Sequence, residues 1–171
     1  MKNIIITGAS SGIGKATALH FAANHWNVIA TMISLEEGKD LQNRPNIHCY
    51  LLDVTSTESI QTAKEKIVQD FKTIDALINN AGIGYRSFVE LSEDTNIKSI
   101  VEVNWLGVVK VSRAFIPVFR MQNHGQIINI SSIAGLVNLP LGSFYHSTKQ
   151  AVESFSGGMA YEWIGFNISV C

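Results

Sequence analysis

The stretch Thr7-Gly8-Ala9-Ser10-Ser11-Gly12-Ile13-Gly14 decides the fold predicted for this chain. It follows the apolar run 4–6 and precedes apolar residues at helical spacing. A strand that leads through a glycine-rich turn into a helix is typical of phosphate-binding loops. Glycine lets a ligand approach the backbone, and the first turn of a helix offers unpaired N–H groups at the positive end of its dipole. The pattern therefore predicts that a dinucleotide pyrophosphate binds here.

Two other interpretations of this stretch stay open at the level of the motif. The glycines at 8, 12 and 14 have the spacing G-x-x-x-G-x-G rather than G-x-G-x-x-G, and such a turn can join a strand to a helix without a ligand. Residues 8–12 also match the G-x-S-x-G nucleophile elbow, in which Ser10 would be the nucleophile of a serine hydrolase. The candidate bases for that reaction are His48, His124 and His146.

The composition indicates an α/β domain and excludes several classes of partner. The chain has 171 residues, of which 46% are hydrophobic and 16% charged, with a net charge of −1. No basic run indicates a nucleic-acid surface, no apolar run could span a membrane, and no signal peptide is expected before the first strand. The two cysteines, Cys49 and Cys171, indicate a reducing, cytoplasmic location. The five histidines lack metal-ligand spacing, so no metal site is expected.

Strand-like and helical patterns alternate along the whole chain. Strands are predicted at 3–7, 27–32, 47–52, 74–78 and 126–131, with a last one from Asn167. Helices are predicted at about 12–24, 36–42, 56–71, 93–121 and 144–164. Most of the strands are continuous apolar runs, as in a parallel sheet covered on both faces. We therefore predict one domain over residues 1–171, an α/β fold with a doubly wound parallel β-sheet and helices on both faces.

Two local signals are expected to set helix boundaries. Thr55 and Glu58 have the spacing of a capping box, which predicts the start of the third helix. Pro117 should kink or end the preceding helix near Ile116, because proline lacks the N–H group that a helix interior uses.

Polar clusters follow three of the predicted strands. Asp53-Val54 comes after the third strand, Asn79-Asn80-Ala81-Gly82 after the fourth and Ser131-Ser132 after the fifth. Each cluster alone could be an ordinary polar turn. Ligands bind outside the carboxyl ends of the strands in doubly wound sheets, however, and all three clusters lie there. Their shared position predicts a binding site along this edge of the sheet.

Tyr145 and Lys149 are four residues apart in the last predicted helix and so share one of its faces. A lysine charge beside a phenol favours the phenolate form, which makes the tyrosine usable as a general acid or base near neutral pH. The same spacing also occurs by chance on solvent-facing helices.

Together these motifs make the chain resemble a short-chain dehydrogenase/reductase. The matching residues occur in order along the chain: Thr7–Gly14, Asp53, Asn79–Gly82, Asn104, Ser132, Tyr145 and Lys149. The resemblance implies a Rossmann-like fold. It also implies an NAD(P)-dependent oxidoreductase that transfers a hydride between nicotinamide and an alcohol or carbonyl substrate.

The resemblance assigns a role to each matching residue. Tyr145 would be the general acid or base, Lys149 would assist it and hold the nicotinamide ribose, and Ser132 would bind the reacting oxygen. Asn104 would hold a water in a proton relay. The cofactor-binding set would be Gly8, Ser11, Gly12, Ile13, Gly14, Asp53, Val54, Asn80, Ala81, Gly82, Tyr145 and Lys149. A non-catalytic NAD(P)-binding module is the alternative, because a fold alone does not establish catalysis.

We expect the cofactor to be NADP(H), with NAD(H) as the alternative. NAD-specific relatives carry an acidic residue after the second strand that pairs with the adenosine ribose hydroxyls. Here the segment reads Ala30-Thr31-Met32-Ile33-Ser34, with no carboxylate to repel a 2′-phosphate. Ile33 replaces the arginine that relatives use for the phosphate, which leaves Ser34 as its candidate partner.

The resemblance also implies a type of substrate, an association between copies of the chain and a longer full-length protein. Gly84, Tyr85, Leu139 and Phe144 are expected to face the substrate and to form a partly apolar pocket for a lipophilic alcohol or carbonyl compound. The helices at 98–121 and 144–164 would pair with those of a second copy in a homodimer or homotetramer. Relatives continue beyond the run that starts at Asn167, so we expect these residues to be the C-terminally incomplete part of a longer dehydrogenase.

Overall fold

The buried strand β1, Asn3–Thr7, lies inside a parallel sheet in the computed structural model, which describes residues 1–171. The other strands are β2 Asn27–Met32, β3 Ile47–Leu51, β4 Ala76–Asn79, β5 Gly125–Asn129 and β6 Ile168–Val170. Their order is β3-β2-β1-β4-β5-β6, and every neighbouring pair is parallel. Strands β2 and β3 are thus added on one side of β1, and β4, β5 and β6 on the other. The strand order reverses between β1 and β4, and doubly wound sheets bind their ligands at such a point.

Six helices connect these strands. They are α1 Gly12–Ala23, α2 Lys39–Gln42, α3 Thr57–Asp70, α4 Asp94–Val101, α5 Gly107–Gln122 and α6 Ser143–Trp163. A π-helical segment, Glu102–Leu106, joins α4 to α5 without a break, and three short 3-10 turns lie at Val89–Leu91, Ile133–Gly135 and Ile164–Phe166. None of the helices is both long and apolar enough to cross a membrane.

The side chains of β1 alternate between two hydrophobic cores, one on each face of the sheet. Ile5 packs in the larger core, with residues from α3, α5 and α6. Ile4 and Ile6 pack in the smaller core, with Ala18 of α1 and Leu41 of α2. All three isoleucines are almost completely buried, which explains why β1 is a continuous apolar run. The prediction of a Rossmann-like doubly wound sheet with helices on both faces is confirmed.

Helix α5 passes through Pro117 and does not end near Ile116, so of the two outcomes expected of the proline, a kink or an end, the end is excluded. The helix continues to Gln122 and ends at Asn123, which has a left-handed backbone with φ of 54°. Around the proline, Phe115, Val118 and Phe119 are buried against the sheet. Their burial stabilises the last turns of the helix by more than the missing proline N–H costs.

The start of α3 also differs from its predicted cap. Ser56, not Thr55, is the N-cap residue, and its side chain accepts a hydrogen bond from the backbone N–H of Ser59. Thr55 is held instead by Asp53, whose Oδ1 accepts hydrogen bonds from both the backbone N–H and the hydroxyl of Thr55, each at 2.8 Å. The capping box is therefore replaced by an Asp-centred turn that leads into a serine cap.

Candidate active site

The glycine-rich loop presents bare backbone at the start of α1. Gly8 and Gly12 have positive φ values of 65° and 53°, and a side chain at Gly12 would meet only open space. The N-cap residue Ser11 makes no side-chain hydrogen bond to the helix, and the first turn contains no acidic residue. The N–H groups of this first turn therefore lie free at the positive end of the helix dipole. This arrangement fits an anionic pyrophosphate.

The loop after β4 packs directly against the glycine-rich loop. The hydroxyl oxygen of Thr7 accepts hydrogen bonds from the backbone N–H groups of Asn80 and Ala81, at 3.0 and 3.1 Å. The Asn80 side chain donates to the carbonyl oxygens of Thr7 and Gly8, at 2.9 and 3.2 Å. A Cβ atom at Gly8 would come within 2.8 Å of the Ala81 Cα. The close approach explains why glycine is needed at this position, beyond its positive φ.

Asp53 and Val54 lie at the carboxyl end of β3, as the sequence indicates. The Asp53 backbone N–H donates to the Ser59 hydroxyl at 3.0 Å, and one carboxylate oxygen holds Thr55. Val54 is buried, and a Cβ atom at Gly107 would come within 2.8 Å of its side chain. The Asp53 turn is therefore fixed from both sides at the carboxyl edge of the sheet, where the cofactor is expected.

Lys149 lies buried beside Tyr145 on α6. Its ammonium donates a hydrogen bond of 2.7 Å to the carbonyl oxygen of Ile130, just after β5, and lies 5.9 Å from the centroid of the Tyr145 ring. Burial lowers the pKa of Lys149, because the charged ammonium loses contact with water. The half-buried Tyr145 is thus brought next to a fixed ammonium at the carboxyl edge of the sheet.

Asn104 lies in the π-helical segment and is completely buried. Its side-chain oxygen accepts a hydrogen bond from the backbone N–H of Ile83, and its side-chain nitrogen donates to the carbonyl oxygen of the same residue, both at 2.8 Å. A Cβ atom at Gly82 would lie 3.3 Å from the Asn104 oxygen and 3.9 Å from the Lys149 nitrogen. Asn104, Gly82 and Lys149 therefore converge, although the Asn104 side chain is occupied by the protein itself.

Thr148 is a site residue that the sequence analysis missed. Its hydroxyl donates to the carbonyl oxygen of Tyr145 at 2.7 Å and lies 3.4 Å from the Asn104 side-chain nitrogen. It therefore connects the helix that carries Tyr145 to the segment that carries Asn104. The signal was available, because a threonine three residues after the tyrosine can bond back to that carbonyl on a helix.

Ser132 lies just after β5, where the reacting oxygen of the substrate is expected. It is the N-cap of the turn 133–135, and its hydroxyl accepts a hydrogen bond of 3.2 Å from the backbone N–H of Ala134. Tyr85 lies in the loop after β4 and Phe144 in the first turn of α6, and their ring centroids are 6.3 Å apart. Leu139 is exposed, as is Gly84. The four residues expected to face the substrate thus belong to the loop after β4 and to the segment from the β5 loop into the first turn of α6.

The hydrolase interpretation of Ser10 finds no support in the geometry. The Ser10 hydroxyl donates to a carboxylate oxygen of Glu37 at 3.4 Å. His146 is hydrogen-bonded to the carbonyl oxygen of Val137, and His48 packs edge-on against Phe71. His124 precedes β5 and so lies at the opposite edge of the sheet from Ser10. The arrangement brings no histidine to this serine as its base. No group of three or more His, Cys, Asp or Glu side chains could hold a metal ion.

The chain matches the family model for short chain dehydrogenases over residues 2–171. It is 38% identical over 168 residues to a 3-ketodihydrosphingosine reductase of Bacteroides thetaiotaomicron. That alignment covers 98% of this chain and 61% of the relative, so the chain spans about three fifths of the relative's length.

Solved structures with bound dinucleotides have the same fold. ElxO with NADP bound superimposes with a TM-score of 0.94 at 34% identity, covering 99% of this chain and 71% of that one. A short chain dehydrogenase/reductase from Burkholderia phymatum in complex with NAD superimposes with a TM-score of 0.93 at 25% identity, covering 98% and 63%. Similar structures therefore exist with either nicotinamide dinucleotide bound.

Proposed function

The chain belongs to the short-chain dehydrogenase family, and we propose that it is an oxidoreductase that uses a nicotinamide dinucleotide to interconvert an alcohol and a carbonyl compound. The observation that carries this proposal is the Tyr145–Lys149 pair, whose ammonium is hydrogen-bonded to the carbonyl of Ile130 at the same carboxyl edge of the sheet as the glycine-rich loop. The free N–H groups of α1 and the bare backbone at Gly12 would hold the dinucleotide phosphates. When bound, the nicotinamide supplies or accepts the hydride.

In this proposal Tyr145 handles the proton. Its hydroxyl donates a proton to the carbonyl oxygen during reduction and takes one from the alcohol during oxidation. The nearby ammonium of Lys149 favours the phenolate that reduction leaves behind. Because this ammonium is anchored to the Ile130 carbonyl rather than mobile in solvent, its charge stays at a constant position through the reaction.

Ser132 and Asn104 have supporting roles. The Ser132 hydroxyl hydrogen-bonds the reacting oxygen and stabilises charge that develops there. Asn104 keeps the loop after β4 in place through both of its bonds to Ile83. We also propose that Asn104 positions the water of a proton relay.

The proposed substrate is a lipophilic small molecule. Apolar side chains that are more than two fifths exposed line the loops after β4 and β5, among them Ile83, Val137, Leu139 and Leu141. The similar reductase from Bacteroides thetaiotaomicron is named for a lipid ketone, 3-ketodihydrosphingosine.

We propose that the chain acts in the cytoplasm.

The experiment that tests the proposal is the substitution Tyr145→Phe. The ring remains to pack on α6, while the hydroxyl that would move the proton is removed. We expect turnover of alcohols and carbonyl compounds to fall by at least a hundredfold, since general acid–base catalysis contributes about 10²–10⁴-fold. The dissociation constant for the reduced dinucleotide should change by less than about threefold.

Ser147→Ala is the matched control, because Ser147 lies on the same helix but is exposed and bonds only to the Ser143 carbonyl. It should retain turnover. Near-normal turnover by Tyr145→Phe would refute the role of Tyr145. Dinucleotide binding without turnover by the unmodified protein on a broad alcohol and carbonyl panel would favour a non-catalytic binding module instead.

A further inference from the structure

The loop 136–142, between the turn 133–135 and α6, carries a row of exposed apolar side chains. They are Leu136, Val137, Leu139 and Leu141. The loop leads directly into the helix that carries Tyr145. Because its apolar side chains are exposed, packing alone does not hold its backbone in one conformation. Hydrogen bonds from other elements have to do so.

The imidazole of His146, at the start of α6, holds the beginning of this loop. It is almost completely buried, and its Nδ1 lies 2.6 Å from the carbonyl oxygen of Val137. Since a carbonyl oxygen can only accept, Nδ1 carries the proton and donates it. The imidazole also occupies the space at Gly142, where a Cβ atom would clash with it. One helical turn further on, Gln150 donates to the Asn138 side chain at 3.0 Å, but this bond is exposed and competes with water.

The end of the loop is held in a strained conformation. Leu141 has a left-handed backbone with φ of 65°, which a bulky residue rarely adopts. Its carbonyl oxygen accepts a hydrogen bond of 2.9 Å from the backbone N–H of Ser87, in the loop after β4. Such a conformation persists only where the surrounding contacts impose it. The apolar stretch is therefore fixed at two points, to α6 at Val137 and to the loop after β4 at Leu141.

His146 and Tyr145 are neighbours on α6, and their rings lie edge-on with centroids 6.2 Å apart. The residue that fixes the loop thus adjoins the residue proposed to move the proton. A loop released from His146 could shift relative to α6, while Tyr145 would stay in place on its own helix beside Lys149. Such a shift would change the apolar surroundings of the substrate and leave the proton-transfer groups where they are.

We propose that His146 is a positioning residue that gives the protein its preference for long-chain lipophilic substrates, by holding the loop 136–142 in place beside Tyr145. The inference rests on the proposed function. The reacting carbonyl does not need the imidazole, because Tyr145 supplies the proton. The hydrocarbon chain needs it indirectly, because methylene groups gain affinity only where apolar side chains such as Leu139 remove them from water. The effect of His146 therefore lies in KM for long substrates rather than in kcat.

The test compares His146→Leu with His146→Asn, two side chains of nearly equal shape. Asparagine has an N–H donor at the position of the histidine Nδ1, and leucine has none. KM and kcat are measured for the straight-chain methyl ketones from butanone to dodecanone, at saturating reduced dinucleotide. In His146→Leu we expect KM for the longest ketones to rise about three- to tenfold, because the loss of one intramolecular hydrogen bond has an effect of this size. KM for butanone and all kcat values should change by less than about twofold. His146→Asn should keep the preference for long ketones.

His124→Leu is the matched control. The Nδ1 of His124 also bonds to a backbone carbonyl, that of Gln122 at 3.2 Å, but His124 precedes β5 at the opposite edge of the sheet. This variant should have the chain-length profile of the unmodified protein. Hydrogen–deuterium exchange of the backbone amides in the loop 136–142 gives a second measurement that does not depend on turnover. Exchange there should be faster in His146→Leu than in the unmodified protein and in His146→Asn.

An equal rise of KM for short and long ketones in His146→Leu would overturn the proposal, as would unchanged exchange of the loop amides. Loss of the preference for long ketones in His146→Asn would also overturn it. If the unmodified protein neither binds a dinucleotide nor reduces any ketone of the series, the proposed function itself fails. Turnover with a chain-length profile that does not depend on His146 rejects only the positioning role.

Discussion

At the scale of single residues, Lys149 shows what the sequence could and could not predict. Its spacing from Tyr145 predicts a shared helix face, and the structure brings the ammonium to 5.9 Å from the tyrosine ring centroid. The bond to the Ile130 carbonyl joins residues 19 positions apart in different elements, and the helical spacing contains no information on it. Asn104 shows the same limit, because its hydrogen-bond partner Ile83 lies 21 positions away in the sequence.

A pH effect follows from the burial of Lys149. Because its pKa is lowered from 10.5 in the folded protein, the native state releases this proton at a lower pH than the unfolded chain. Between the two pKa values the unfolded state binds more protons, so the Lys149 contribution to the free energy of unfolding rises as the pH rises. Urea unfolding from neutral pH to about pH 10 should show this rise.

The reference for that measurement is Lys149→Met, which has no titrating group at this position. Cys49 and Tyr50 titrate in the opposite sense, because burial raises the pKa of each, and their effects cancel in the difference between the two proteins. The stability of the unmodified protein should increase relative to Lys149→Met toward alkaline pH. Parallel pH profiles of the two proteins would contradict the prediction.

At the scale of elements, the predicted strand bounds hold where strand pairing runs along the whole apolar stretch and fail where a side chain takes the backbone hydrogen bonds of a terminal residue. Strands β1 and β2 have the predicted bounds, because fully buried apolar runs are set off by turn residues. Strand β4 begins at Ala76 rather than Ile74. The Gln122 side chain binds both the N–H and the carbonyl of Ile74, at 2.9 and 2.8 Å, and so replaces the neighbouring strand there. The pattern of apolar residues cannot predict that a distant side chain takes the hydrogen bonds of a neighbouring strand.

Strand β5 illustrates the same rule at its other end. It was predicted to reach Ser131 but ends at Asn129. The next carbonyl, that of Ile130, accepts the hydrogen bond from Lys149 instead of one from a strand. The strand thus ends where the candidate site begins. Apolar periodicity cannot distinguish a residue that continues a strand from one whose carbonyl binds a distant side chain such as Lys149.

Thr7 and Thr31 provide a matched pair for testing how β1 and β4 are joined. They lie opposite each other on β1 and β2, and both are almost completely buried. The Thr7 hydroxyl is the acceptor for two backbone N–H groups, whereas the Thr31 hydroxyl only donates to the carbonyl of Ile6 at 3.2 Å. Thr7→Val therefore leaves two part-buried backbone donors unpaired, and Thr31→Val leaves none.

We expect Thr7→Val to lower the free energy of unfolding by about 2–4 kcal/mol, since each unpaired group costs about 1–3 kcal/mol. Thr31→Val should cost about 1 kcal/mol or less. Denaturant unfolding of both variants checks the difference. Thr7→Val should also weaken dinucleotide binding, because it loosens Asn80 and Ala81 beside the glycine-rich loop. Equal losses of stability in the two variants would show that the hydroxyl of Thr7 does not join the strands.

At the scale of the whole molecule, the two faces of the sheet organise the site. The α3, α5 and α6 face contains the larger core, and α6 carries Tyr145 and Lys149 from that face to the carboxyl edge. The α1 and α2 face supplies the glycine-rich loop and the turn with Glu37. The glycine-rich loop and the proposed catalytic pair thus come from opposite faces and lie at the same carboxyl edge of the sheet. The sequence predicts a site along this edge, because polar clusters follow three of the predicted strands.

The helices at 98–121 and 144–164, which are expected to pair with a second copy, carry eight large apolar residues that could form the contact. Four of them are buried within the chain, namely Val108, Phe115, Val152 and Met159. Trp105 remains 36% exposed, and Val101, Phe155 and Trp163 are only partly buried. The intrachain core therefore accounts for half of the pattern, and Trp105 is the residue best placed to test the rest.

We predict that the protein is a homodimer or homotetramer at micromolar concentration and that Trp105→Arg shifts it toward the monomer. A buried interface tryptophan typically contributes about 2 kcal/mol or more, so the dissociation constant should rise by at least about thirtyfold. Val68→Arg is the control, because Val68 is similarly exposed, at 39%, but lies on α3 outside the expected contact. Sedimentation velocity over a concentration series measures both variants. A monomeric unmodified protein at these concentrations would refute the prediction, and equal effects of the two substitutions would show that the contact does not include Trp105.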